Sequence, residues 1–293
     1  GAFLLSGLLL LATGRLRRRD RVVTLCPSIF TVLLGVLATR RGGQHVALVH
    51  DVQSGLAAGL GMIGGSRLVR GLRWLERQVL NRSDRVLVLS EPMRVHLEEM
   101  GVRTPIEVLP IWIDTAAFPP RPPKRSNRPT AAYSGNLGKK QALGQLLDAA
   151  ALLRARGSQV RLLLRGEGSE AKSLKARAAS EQLDNVAFAP LVPAERLAES
   201  LASKVYAIMA SARPFVAAAP PGSLLWTLQE RCGGFLCVPS GDAEAIADAI
   251  EELAADGERR AELGRKARDF VVREHDRRRV LDRFLACVDG VAA

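Results

Sequence analysis

Ser134-Gly135-Asn136-Leu137-Gly138-Lys139-Lys140 is the stretch of this 293-residue sequence best equipped for chemistry. An apolar strand, Thr130 to Tyr133, runs into it, and an apolar helix, Leu143 to Leu153, leaves it. Glycines admit a ligand close to the backbone, N–H groups and a helix N-terminus face an anion, and two lysines add charge, so the spacing predicts a phosphate cradle. Alone the pattern does not decide, because any α/β protein carries glycine turns between strand and helix. A second candidate is His50, which closes the apolar run His45 to His50 and precedes Asp51. Ligands of parallel α/β sheets gather at the C-terminal ends of strands, where an imidazole can hydrogen-bond a ligand hydroxyl and Asp51 can orient it. Ser90-Glu91 ends the next apolar run and fits two descriptions: a pair facing the same ligand, or a helix N-cap with its acid in the first turn.

The elements that must position these groups alternate along the chain. Arg21 to Cys26, His45 to His50, Arg85 to Leu89 and Ile106 to Leu109 read as short strands, with helices such as Ser66 to Asn81 and Met93 to Met100 among them. Ala131 to Ser134, Arg161 to Arg165, Val186 to Ala189, Phe215 to Ala219 and Phe235 to Pro239 make a second series of strands. Such alternation predicts α/β domains whose parallel sheets are covered on both faces. Pro119, Pro120, Pro122, Pro123 and Pro129 mark a boundary between the two series. Ala243 to Ala255 and Glu258 to Val288 read as helical, charged on one face and apolar on the other. With 47% hydrophobic residues the chain can bury a sizeable core, enough for two domains or one large one.

Lysine and arginine outnumber acidic residues 42 to 30, and the resulting net charge of +12 favours anionic partners. The clusters Arg15, Arg17, Arg18, Arg19 and Arg277, Arg278, Arg279 have no interleaved aromatics for base stacking and no reader motif, which argues against nucleic acid. An anionic membrane surface suits them better. The first cluster follows Ala2-Phe3-Leu4-Leu5-Ser6-Gly7-Leu8-Leu9-Leu10-Leu11, a run shorter than the ~20 apolar residues of a bilayer span. Two readings stand for it: a helix lying in the interface with its basic end on headgroups, or a buried core helix ending in solvated arginines. A secretory signal carries its charges ahead of the apolar stretch, so the run is not read as one. Cys26, Cys232, Cys237 and Cys287 have neither paired Cys-x-x-Cys spacing nor a small secreted framework. They are expected to be free thiols in a reducing cytosol, with no metal and no disulfide.

Further motifs follow the cradle: Leu162 to Gly168, Asn185 to Phe188, Ser203 to Pro214 and Val238 to Asp242. Before it stand Val49-His50-Asp51, Leu72 to Arg77, Ser83 to Glu91, and Val108 to Thr115 with Phe118. In order and spacing the combination resembles the retaining glycosyltransferases of family 4, and within them the colanic-acid-type exopolysaccharide sub-group of bacteria. The resemblance covers most of the chain. It implies the α/β GT-B fold, two Rossmann-like domains facing a cleft: an acceptor-side domain over 1–122, a nucleotide-sugar donor domain over 123–268, and a C-terminal helix over 269–293 that crosses back to the first. It implies transfer of a hexosyl or N-acetylhexosaminyl group from a UDP-sugar to a lipid-linked saccharide. The work would be done at the cytoplasmic face of the cell membrane, in surface polysaccharide assembly. No cofactor and no essential metal is implied beyond that donor, because basic side chains and helix dipoles stabilise the leaving phosphate.

Carried onto this sequence, the family's donor site falls on Gly135, Asn136, Gly138, Lys139 and Lys140, with contributions from Gly166 and Glu167. Base contacts fall on Leu191 and Val192, and further phosphate contacts on Ser203 and Lys204. His50 and Asp51 take the catalytic side, with Glu199 at the spacing of the first of two family glutamates. The sequence also departs from the pattern. Gln141 occupies the commonest lysine position, and Ala207 the place of the second glutamate, which holds the ribose. The family's first strand and glycine loop do not precede Gly1, and its strand before the Ser-Lys segment is missing between Glu199 and Ser200. The expectation is that an N-terminal portion and an internal segment are omitted, which would make the Glu199 spacing coincidental. Gln141 and Ala207 sustain an alternative, a nucleotide-sugar-binding protein without turnover.

Overall fold

The computed structural model describes residues 2–26, 28–50, 52, 66–120, 128–191 and 205–290. Asp51, Val192, Glu199, Ser203 and Lys204 lie outside the described residues. The chain divides into two units, one of Gly1–Trp112 with Arg278–Ala293 and one of Ile113–Arg277. The division thus precedes the proline-rich stretch, and the returning segment starts later than Asp269.

In the first unit α1 (Ala2–Ala12), β1 (Arg19–Cys26), α2 (Ile29–Ala38), β2 (Thr39–Val49), α3 (Ser66–Leu80), β3 (Arg85–Val88), α4 (Glu91–Glu99) and β4 (Ile106–Val108) follow in order. The four strands form one parallel sheet in sequence order. Side chains alternate across it. Ala47, Val49, Val86 and Val88 pack with Ile29 and Val32 of α2, Val79 and Leu80 of α3 and Leu97 of α4. Val46 and Leu87 face the other way, onto Val280 and Cys287 of the last helix, α11 (Arg277–Asp289). Burial on both faces explains why these strands read as continuous apolar runs. A polar exception ties three segments together: buried His45 places its ring nitrogens 3.0 Å from Thr24 Oγ1 and 3.0 Å from Ser83 Oγ. Its backbone N–H donates to Asp84 Oδ2 at 2.7 Å. Burial pulls the imidazole pKa down to about 4, against the opposing pull of Asp84.

α1 carries the leading apolar run. It packs on α2 through Gly7, where a Cβ would meet Leu34 at 2.4 Å. Phe3, Leu5, Leu9 and Leu10 remain exposed.

The second unit contains β5 (Thr130–Ser134), α5 (Gly144–Ala155), β6 (Arg161–Arg165), α6 (Ala171–Ser180), β7 (Val186–Ala189), α7 (Val205–Ala210), β8 (Val216–Ala219), α8 (Leu224–Cys232), β9 (Leu236–Pro239), α9 (Ala243–Ala255) and α10 (Gly257–Glu274). Its strands are all parallel but form two sheets, β5-β6-β7 and β8-β9. Both rest on one core, in which Leu147 and Leu153 of α5, Leu162 and Leu164 of β6 and Ile246 of α9 are buried against Val216 and Leu236. Glu258 to Val288 is not one helix. Ile113 donates its N–H to His275 O at 2.9 Å and accepts from Arg277 N–H at 2.9 Å. Those two groups are diverted to a bridge, so α10 stops at Glu274 and α11 starts at Arg277. Thr115 Oγ1 donates to Asp276 at the same point.

Candidate functional site

The loops at the C-terminal ends of β5 and β6 interlock. Gly135 N–H donates to Arg165 O at 2.9 Å, Leu137 N–H to Glu167 O at 2.8 Å and Glu170 N–H to Leu137 O at 2.8 Å, while Gly166 N–H donates to Ala189 O of β7 at 3.0 Å. The fit leaves no room for a side chain at two positions. A Cβ on Gly166, at φ +146°, would lie 1.8 Å from Gly135 O, and one on Gly168, at φ +155°, would lie 2.5 Å from Leu137 O. Tyr133 adds a strut from the strand, its OH donating to Asn136 O at 3.0 Å.

What this frame holds out is a short surface of basic side chains and backbone N–H groups. Lys139 and Lys140 lie in a 3-10 turn, Lys139–Gln141, ahead of α5, with both side chains exposed and no ion pair among the described residues. The N–H groups of Gly138, Lys139 and Lys140 donate to no backbone carbonyl among those residues. Consecutive N–H groups of this kind, beside two ammonium groups, complement a phosphate. Asn136 and Gln141 flank the same point, their amide atoms 3.0 and 3.1 Å from where a Gly138 Cβ would sit. Gln141 therefore stays in the cradle as a neutral group where the family resemblance places a lysine. Sequence reasoning missed Gln145, whose Oε1 accepts Gly241 N–H at 2.8 Å and ties the loop after β9 to the first turn of α5. Its only sequence signal is a glutamine in the first turn of a helix.

The other sequence candidates are placed less completely. His50 follows β2 directly, as a strand-end ligand group should, and is exposed. Its neighbour Asp51 lies outside the described residues. Glu167 is exposed and enters the interlock through its backbone, and Leu191 is exposed just past β7. Ser90 stands at the N-cap position of α4 without a side-chain cap bond, and Glu91 pairs with Arg94 in the first turn, which favours the helix-start description. Ala207 is buried in α7. Val192, Glu199, Ser203 and Lys204 are outside the described residues, among which no three metal-ligating side chains cluster. All four cysteines are free.

Parallel α/β units with glycine-rich loops at the strand ends are a broad class of fold, and comparison makes the class specific. The family described as glycosyl transferases group 1 matches residues 114–270, and a glycosyl transferase 4-like domain matches residues 2–112. The chain belongs to the group 1 glycosyl transferase family. Among curated relatives, the putative colanic acid biosynthesis glycosyl transferase WcaI of Escherichia coli is 27% identical over 65% of this chain and 50% of its own length. The glycosyltransferase YqgM of Bacillus subtilis is 25% identical over 74% of this chain and 64% of its own. The chain thus spans between half and two thirds of the relatives it matches. Anabaena HepE, solved in complex with UDP, superposes with a TM-score of 0.75 at 15% identity, covering 97% of this chain and 82% of HepE. Sucrose-phosphate synthase of Thermosynechococcus elongatus gives a TM-score of 0.69 at 19% identity over 92% and 72%. These likenesses establish the GT-B fold.

Proposed function

We propose that the protein is a retaining glycosyltransferase that moves a sugar from a UDP-sugar to a lipid-linked saccharide during bacterial surface polysaccharide synthesis. The observation that carries this reading is the cradle of Gly138, Lys139 and Lys140, in a chain of the group 1 family. Departure of the nucleotide leaves negative charge on its terminal phosphate, and preorganised N–H groups and lysines stabilise that charge without reorganising. Ser203 and Lys204 add to the same phosphates, Leu191 and Val192 border the base, and His50, oriented by Asp51, hydrogen-bonds the sugar or the acceptor hydroxyl. Glu199 is the remaining acidic candidate. No metal is required for this scheme. WcaI is named for colanic acid biosynthesis, and HepE has been solved with UDP and with UDP-glucose, which supports the choice of pathway and donor.

A lipid-linked acceptor is met at a bilayer. No described helix is long and apolar enough to cross a membrane. α1 instead exposes Phe3, Leu5, Leu9 and Leu10 ahead of a recess of about 610 Å³ lined by Arg15, Arg17, Arg19 and Arg21, which supports peripheral binding to an anionic inner membrane face. A second reading, nucleotide-sugar binding without turnover, is favoured by Ala207, a buried methyl group that offers nothing to a ribose. Release of UDP from UDP-glucose or UDP-N-acetylglucosamine in the presence of lipid-linked saccharides separates the two: turnover supports the transferase, and saturable binding without release supports the binding protein.

A further inference from the structure

Helices α3 and α4 border a recess of about 400 Å³ on the first unit, lined by Arg70, Arg73, Trp74 and Arg77 from one helix and by His96 and Glu99 from the other. Spacings of three, four and seven put the α3 residues on one face. Trp74 is 58% exposed, a large apolar surface that the fold itself does not use. Arg73 and Arg77 form no ion pair among the described residues, although Glu99 lines the same recess.

An indole face, two uncommitted guanidinium groups, a carboxylate and an imidazole form the complement of one ligand chemistry. A pyranose ring presents an apolar C–H face to an aromatic ring, a uronate or phosphate oxygen pair matches the guanidinium fork, and ring hydroxyls pair with Glu99 and His96. The volume falls in the range of small-ligand sites, roughly 300–1,000 Å³. A simple inorganic anion would leave the indole unused, and a flat bilayer would leave the recess unfilled. We propose that this recess binds an acidic saccharide, its acid group on Arg73 and Arg77 and a sugar face on Trp74. The site lies wholly in the first unit and does not depend on the phosphate cradle or on turnover.

The test is calorimetric titration with trigalacturonate, alongside maltotriose, inorganic phosphate and phosphatidylglycerol vesicles. Wild type is compared with Trp74→Ala and with Arg73→Gln/Arg77→Gln, each checked for an unchanged melting temperature. Saturable trigalacturonate binding is expected, at least tenfold tighter than maltotriose, at least tenfold weaker in either variant and unchanged in Lys139→Ala/Lys140→Ala. No trigalacturonate binding, or equal binding by wild type and both variants, overturns the proposal. Trp74-dependent binding of vesicles without binding of the saccharide also overturns it and assigns the face to lipid.

Discussion

Gly166→Ala attacks the interlock beneath the cradle without touching a charged group. The new Cβ would sit 1.8 Å from Gly135 O at φ +146°, so both the backbone angle and the contact are unacceptable. Neither partner can step aside cheaply, because Gly135 N–H is held by Arg165 O at 2.9 Å and Gly166 N–H by Ala189 O at 3.0 Å. Backbone strain contributes about 1–3 kcal/mol and overpacking a similar amount, giving a loss on the order of 3 kcal/mol. At ~2–4 °C per kcal/mol, the melting temperature should fall by roughly 6–12 °C. Displacing the loop also moves the N–H groups of Gly138 to Lys140, so UDP affinity should fall at least tenfold. Scanning calorimetry and UDP titration measure the two effects. Gly157→Ala is the control: at φ +71° with nothing within 4 Å it carries backbone strain but no clash, and it should cost less and leave UDP binding intact. A Gly166→Ala protein that melts like Gly157→Ala and binds UDP like wild type would refute the role of the interlock.

Lys139→Ala/Lys140→Ala should weaken UDP binding by ~2–3 kcal/mol, since charge-assisted contacts are worth on the order of 1.5–3 kcal/mol each and exposed lysines fall at the low end. Uridine should bind both proteins alike, and equal losses for UDP and uridine would remove the lysines from the phosphates. Changing Arg15, Arg17, Arg18 and Arg19 to glutamine should abolish salt-sensitive co-sedimentation with anionic vesicles, at about 1 kcal/mol per arginine; undiminished sedimentation would assign binding elsewhere. His45 has a folded pKa near 4, below its ordinary value of 6.5, so its contribution is whole above pH 6.5 and declines as pH falls toward 4, where the unfolded chain takes the proton and the folded one does not. Urea unfolding of the first unit should therefore lose about 2 kcal/mol between pH 7 and pH 4.5, a slope that His45→Gln should lack.

Much of the fold is legible in the sequence because its strands are short apolar runs bounded by polar and glycine punctuation. Arg161–Arg165, Val186–Ala189 and Ala243–Ala255 coincide with the structure, and the loop carrying Gly135, Gly138, Lys139 and Lys140 follows β5 directly. What was not legible depends on partners distant in the chain. The break at His275-Asp276 is imposed by Ile113, and no local signal within an amphipathic helical stretch announces it. The separation of β8-β9 from β5-β6-β7 is a choice of neighbours, which period-two patterning does not encode. Gly166 and Gly168 look like ordinary turn glycines until Gly135 O and Leu137 O are brought against them. Hydropathy likewise cannot tell an exposed α1 from a buried one, since the helix is apolar on every side. Arg73, Trp74 and Arg77 become a site only when α4 lies beside them.

Turnover at Gly138, Lys139 and Lys140 is what separates a transferase from a binding protein. The most direct measurement is UDP release from a UDP-sugar incubated with lipid-linked saccharides, with the anomeric configuration of the product read by NMR. Transfer to the lipid fraction with retained configuration is expected, reduced at least tenfold by Lys139→Ala/Lys140→Ala at subsaturating donor. UDP-sugar binding with no UDP released to any acceptor would contradict the enzyme, and release unaffected by loss of both lysines would contradict the site.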